Sequence, residues 1–138
     1  MSFETWKHEY NPQQPDEFIK DERSDIELLE YELKLFTGLK KENLKKHSIY
    51  LYDCLVVPET TITTENFLEN KNNKLLIDGS SSPLCATYNN NEFNRCQNCP
   101  IVKIHGRHCM PEYLKFVEKK DIEPFIELIQ DTITLLKI

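Results

Sequence analysis

Four of the five cysteines fall in one polar stretch, Ser82 to Pro111. Cys85, Cys96, Cys99 and Cys109 stand in the pattern C-x10-C-x2-C-x9-C, with His105 and His108 among them. Thiolates are the usual ligands of a structural zinc ion, which takes four donors in a tetrahedron. Cys96-Gln97-Asn98-Cys99 is short enough for both sulfurs to reach one ion, and Pro100 stiffens its exit. Cys85 and Cys109 flank that pair at similar distance and complete an all-thiolate set. His105 or His108 are the alternative ligands, although His108 is adjacent to Cys109 and awkward to place on the same ion. Gly106 supplies the turn that brings Cys109 back.

Competing chemistries can be weighed on the same residues. Burial as ordinary core thiols fits poorly, because the neighbours Tyr88-Asn89-Asn90-Asn91-Glu92 are polar. A redox C-x2-C pair sits between a strand and the start of a helix. Here Pro100 leads into Ile101-Val102-Lys103-Ile104, which reads without a helix start, so zinc stands ahead of a small thiol redox enzyme using Cys96 and Cys99. An iron–sulfur cluster also takes four thiolates, but nothing in the sequence implies electron transfer. A catalytic zinc keeps one position open and has a carboxylate nearby. Four thiolates close the shell, Arg95 stands where a zinc deaminase has proline, and H-E-x-x-H is absent. The expectation is a structural ion in a protein that is not an enzyme. Cys54 lies apart, inside a strand-like run, and reads as a core thiol.

The elements that must carry this segment are legible on either side of it. Phe3, Trp6 and Tyr10 share one helical face, and Pro12 and Pro15 end any helix there. Residues 1–20 read as an arm that packs its aromatics on the core, with Trp6 and Tyr10 as partner-binding anchors in the alternative reading. Ser24 and Glu27 form a capping box. Ile26, Leu29, Leu33 and Phe36 follow at helical spacing, and Gly38 ends the helix. Lys40, Lys41, Lys45 and Lys46 read as a solvated helical turn with Leu39 and Leu44 inward, a nucleic-acid contact being the alternative. Ile49–Val57 reads as one strand closed by Pro58. A short helix at Thr64–Glu69, a polar turn at Asn70–Lys74 and a second strand at Lys74–Ile77 precede the cysteines. After them, Pro111 opens a helix through Glu118 that buries Tyr113, Leu114 and either Val117 or Phe116. Asp121 then caps a last helix carrying Ile122, Phe125, Ile126, Ile129, Ile133 and Leu136, either a core element or a homodimer surface.

A chain of 138 residues with 39% hydrophobic and 29% charged residues is expected to form a single α+β domain, helix-dominated, with its β region at about 48–77. A net charge of −6 argues against general nucleic-acid binding, which needs a basic surface. No apolar run approaches the ~20 residues that span a bilayer. The N-terminal residues lack a basic region followed by an apolar core, so a cytoplasmic, reducing setting without disulfides is expected.

The cysteine segment resembles a loose class of small, largely uncharacterised bacterial and phage proteins with a C-x-L-C…C-x-x-C-P…C zinc knuckle. The resemblance covers about 82–138: Ser82-Pro-Leu-Cys85, Tyr88, Cys96-Gln-Asn-Cys99-Pro100, Gly106, Cys109 and Pro111-Glu-Tyr113. Ser82 departs from the pattern, which has a cysteine there. The resemblance implies a metal knuckle and transfers no activity. The resulting expectation is a zinc-stabilised protein-interaction module, an inhibitor or regulator of a host protein. Its acidic residues Asp16, Glu17, Asp21, Glu22, Asp25, Glu27, Glu30 and Glu32 would dock on a basic partner surface.

Overall fold

Ser24 starts a helix in the way its spacing to Glu27 requires. The Ser24 hydroxyl accepts the Glu27 N–H at 3.2 Å, and Glu27 Oε1 accepts the Ser24 N–H at 3.1 Å. Two otherwise orphaned donors are thereby satisfied at the start of the helix. In the computed structural model, which describes residues 3–52, 55–58, 75–77, 82–88 and 96–138, this helix is the third of eight. The order is α1 (Phe3–Tyr10), α2 (Pro15–Phe18), α3 (Asp25–Thr37), α4 (Lys41–Lys46), β1 (Ile49–Tyr52), β2 (Leu55–Pro58), β3 (Leu75–Leu76), α5 (Pro83–Tyr88), α6 (Pro100–His105), α7 (Met110–Lys119) and α8 (Glu123–Leu136). The expected helix at 64–69, the turn at 70–74 and Cys54 lie outside the described residues.

The core forms where α3 meets α8. Leu28, Leu29, Leu35 and Phe36 on α3 face Phe125, Ile126, Ile129 and Ile133 on α8, and all are buried. Phe36 stacks on Phe125 at a centroid distance of 4.5 Å and meets Phe116 edge-on at 5.4 Å. Each such side chain withdrawn from water contributes about 1.5–3 kcal/mol before entropy is counted. The apolar stripe of α8 is therefore spent inside the fold, while Leu135 and Ile138 at its end stay exposed. Asp121 does not cap α8: the cap position is Ile122, with no side-chain hydrogen bond, and Pro124 in the first turn sets the helical φ instead.

The amino-terminal arm folds back on α3. Phe3 and Trp6 are buried, and Trp6 Nε1 donates to the Gly38 carbonyl at 2.8 Å. Trp6, one of the two residues considered as partner anchors, is wholly inside the molecule and offers a partner no surface in this arrangement. Tyr10 is half-buried. His47, also buried, ties α1 to the end of α4 by bonds to Thr5 Oγ1 at 2.9 Å and Glu9 Oε2 at 3.0 Å. Leu39 and Leu44 point inward beside the lysines, as the helical reading of that basic cluster requires.

The strand-like run at 49–57 is two strands and not one. Tyr52 pairs with Leu55 and Ile49 with Pro58, so the run reverses on itself as an antiparallel hairpin. β3 adds to β2, with Leu76 opposite Leu55, giving the order β1-β2-β3. A continuous β-branched and aromatic run hides such a reversal, because composition is uniform across it. α7 pins this sheet to the helices: Tyr113 Oη donates to the Ile77 carbonyl at 3.1 Å and Lys120 Nζ to the Leu51 carbonyl at 3.0 Å. On α7 itself Phe116 is buried and Tyr113 half-buried; of the alternatives Val117 and Phe116 it is Phe116 that goes inside, with Val117 37% exposed, and Leu114, expected inside, is 42% exposed. The helical face that carries Phe116 toward α8 leaves Leu114 and Val117 on its outer edge.

Candidate metal centre

Among its described residues, the cysteine segment carries the short helices α5 and α6 and the start of α7. Cys85 lies on α5, whose start is closed by Ser82: the Ser82 hydroxyl accepts the Cys85 N–H at 3.0 Å. The far end of α5 is fixed to α3 by a hydrogen bond from Tyr88 Oη to Asp25 Oδ1. The Tyr88 carbonyl also accepts the Cys96 N–H at 3.0 Å, which returns the chain to the same place. Cys96 adopts a left-handed backbone, φ +63°. Cys99 N–H then donates to the Cys96 carbonyl at 3.1 Å, closing a tight C-x2-C turn.

A helix starts immediately after that turn, contrary to the sequence expectation. Pro100 occupies the first turn of α6 and Cys99 its cap position. Proline has the φ a helix needs and lacks only a donor that would be unpaired there anyway. The backbone amides of Ile101 and Val102, at the start of α6, favour the thiolate form of Cys99. Gly106 ends α6 at φ +69°, a conformation that favours glycine, and supplies the expected turn. The chain re-enters at Cys109, which is the cap position of α7. Between them Arg107 makes a two-point contact with Glu112, at 2.7 and 2.8 Å, which braces this corner.

These local devices bring all four expected cysteines to one place. Cys85, Cys96, Cys99 and Cys109 line a single largely enclosed cavity of about 40 Å³. Its apolar wall is Leu84, Ile101, Val102 and Phe125. One probe sphere of water occupies roughly 10–15 Å³ on this measure, so an ion has room. No disulfide joins them; all four are free thiols. Among the described residues no group of three or more His, Cys, Asp or Glu side chains stands close enough to hold a metal ion as placed. The sulfurs surround the cavity and do not converge on one point. Sulfurs on one tetrahedral zinc would lie about 3.8 Å apart, from bonds of about 2.3 Å.

The histidines divide. His108 lines the cavity beside Cys109, so adjacency in sequence does not keep the two from facing it together. His105 turns the other way, with Nε2 at 2.9 Å from Thr132 Oγ1 and 3.8 Å from Asp131 on α8.

Burial dominates the electrostatics. It pushes the Cys85 thiol up to about 12, reinforced by the nearby Glu32 charge, and Cys109 up to about 11, reinforced by Cys99 and Cys96. Burial also raises Cys99, against the pull of the α6 amides. Such thiols are poor free nucleophiles; a cation that stabilised the thiolates would reverse the balance.

Two wall residues escaped the sequence reading. Ser82, the departure from the knuckle pattern, is buried and part of the cavity wall. Glu32 is 3% exposed and faces the same cavity from α3, so it cannot belong to an acidic docking surface. The available signal was its place on the apolar face of α3, between Leu28 and Phe36. Compared with protein-family models, with characterised proteins and with solved structures, the chain matches none. Among the described residues no helix is long and apolar enough to cross a membrane.

Proposed function

We propose that this protein is a zinc-stabilised protein-interaction module without catalytic activity. The observation that carries the reading is the convergence of four cysteines, from α5, the C-x2-C turn and the start of α7, on one buried cavity. A zinc ion held by Cys85, Cys96, Cys99 and Cys109 would neutralise buried thiolates and clamp three short helices to the α3–α8 core. Helices of 6 residues such as α5 and α6 are too short to persist alone, so a cross-link among them contributes stability directly. His108 is the available substitute ligand; His105, engaged with Thr132, is not.

Thiol redox chemistry is the rival, since a helix does begin after Cys99. The burial that raises Cys85, Cys99 and Cys109 favours the metal. The interaction half of the proposal rests on Asp16, Glu17, Asp21 and Glu22, which are all exposed around α2 and suit a basic partner surface.

Metal analysis of the purified protein tests the first half. One zinc per chain is expected in wild type and a large loss in Cys99→Ser, with chelation lowering the melting temperature of wild type only. Wild-type protein free of metal, with four rapidly alkylated thiols, would overturn it. Replacing Asp16, Glu17, Asp21 and Glu22 by lysine tests the second half: it is expected to leave zinc content unchanged and abolish capture of a basic partner. Undiminished capture by that variant would refute the acidic docking surface.

A further inference from the structure

Glu32 is the one charged side chain of α3 placed on its buried face, flanked there by Leu28, Leu29, Leu35 and Phe36. Burying an ionised carboxylate costs heavily unless every lone pair finds a donor or a cation. Ser82 provides one hydroxyl to the carboxylate. Glu32 Oε1 has no hydrogen-bond partner, although its residue is 3% exposed. Among the described residues it is the single buried side-chain polar atom in that condition. The cavity wall includes no lysine or arginine among the described residues, and burial pushes the Glu32 carboxyl up to about 7. An orphaned acceptor of this kind calls for an explanation such as an ion.

We propose that Glu32 is an oxygen donor to the cation of the cysteine cavity, taking one of its four positions in place of one of the thiolates, so that the ion sits in a mixed sulfur–oxygen shell. This rests on the zinc reading above. A carboxylate oxygen is an ordinary zinc ligand at about 2.0–2.2 Å, against about 2.3 Å for sulfur. Ser82 then gains a purpose that a cysteine at that position would not serve. Its hydroxyl holds the second oxygen of Glu32, as outer hydrogen bonds commonly orient a ligating carboxylate.

The test uses the full-length chain, with zinc or with cobalt(II) as the probe. X-ray absorption of the zinc-loaded wild type is expected to show an oxygen at about 2.0–2.2 Å beside the sulfurs. Glu32→Gln keeps the shape and removes the charge. It is expected to weaken cobalt binding about 10–100-fold and to move the visible cobalt bands toward those of an all-thiolate site. Sulfur-only scattering in wild type, or a Glu32→Gln protein with unchanged affinity and bands, would overturn the role of Glu32 while leaving the zinc reading standing. Failure of the wild type to take up either metal would remove the zinc reading, and this one with it. The wild-type absorption measurement decides the matter even if Glu32→Gln does not fold.

Discussion

The Tyr10 side chain packs so closely on Gly38 that a methyl group built on Gly38 would stand 2.5 Å from its Cγ. Gly38 follows α3 with an ordinary right-handed backbone, φ −65°. The glycine is therefore needed for space and not for conformational freedom, and its carbonyl receives the Trp6 indole from the same arm. The arm and the α3 terminus are fitted to one another.

Gly38→Ala is accordingly expected to destabilise the fold by about 1–3 kcal/mol, the usual cost of overpacking, despite alanine's better helix propensity. In a Tyr10→Ala background the same change should cost far less. Urea denaturation of the four proteins of the cycle gives the coupling. Equal costs in both backgrounds would show that the contact is not tight.

The Arg107–Glu112 brace makes a pH-dependent contribution. Hydrogen bonding from Arg107 holds the Glu112 carboxyl below its ordinary value of 4.5. A depressed folded-state pKa gives stability that is present above pH 4.5 and lost as pH falls through the folded value. Glu112→Gln should therefore cost about 0.5–1 kcal/mol at pH 7, with its difference from wild type shrinking steadily below pH 4.5. Thermal melts at pH 7 and in acid read this directly. A difference that persisted undiminished in acid would assign the effect to packing.

The two faces of α7 should respond oppositely to substitution. Phe116 is 1% exposed and touches Phe36 and Tyr113, so Phe116→Ala is expected to cost about 3–5 kcal/mol. Leu114, 42% exposed, should accept Leu114→Lys within about 0.5 kcal/mol. Chemical denaturation distinguishes this placement from one in which both residues are interior.

Much of the candidate site was legible in the residue order. The four cysteines were picked out by spacing, and short-range chemistry places them: a capping serine at Ser82, a proline at the first turn of α6 and a glycine at Gly106. The errors arose where a local pattern had two outcomes. Ile49–Val57 could extend or reverse, and only the pairing of Tyr52 with Leu55 decides that it reverses. Pro100 could stiffen a loop or open a helix, and it opens one. Val117 and Phe116 were equal candidates for burial, and Leu114 was expected inside, until the direction of α8 was known.

Residue order alone determined the helix-dominated α+β character and the amphipathic faces of α3 and α8. These follow from periodicity and from steric and hydrogen-bonding rules that act within a few residues. Tertiary packing alone decided that α5, the C-x2-C turn and α7 meet at one cavity, that His108 faces it while His105 does not, and that Glu32 stands in its wall. Those facts depend on how α3 crosses segments far along the chain, from Pro83 onward, and no local pattern carries that angle. A carboxylate on α3 looks like any other surface acid until the fold closes over it.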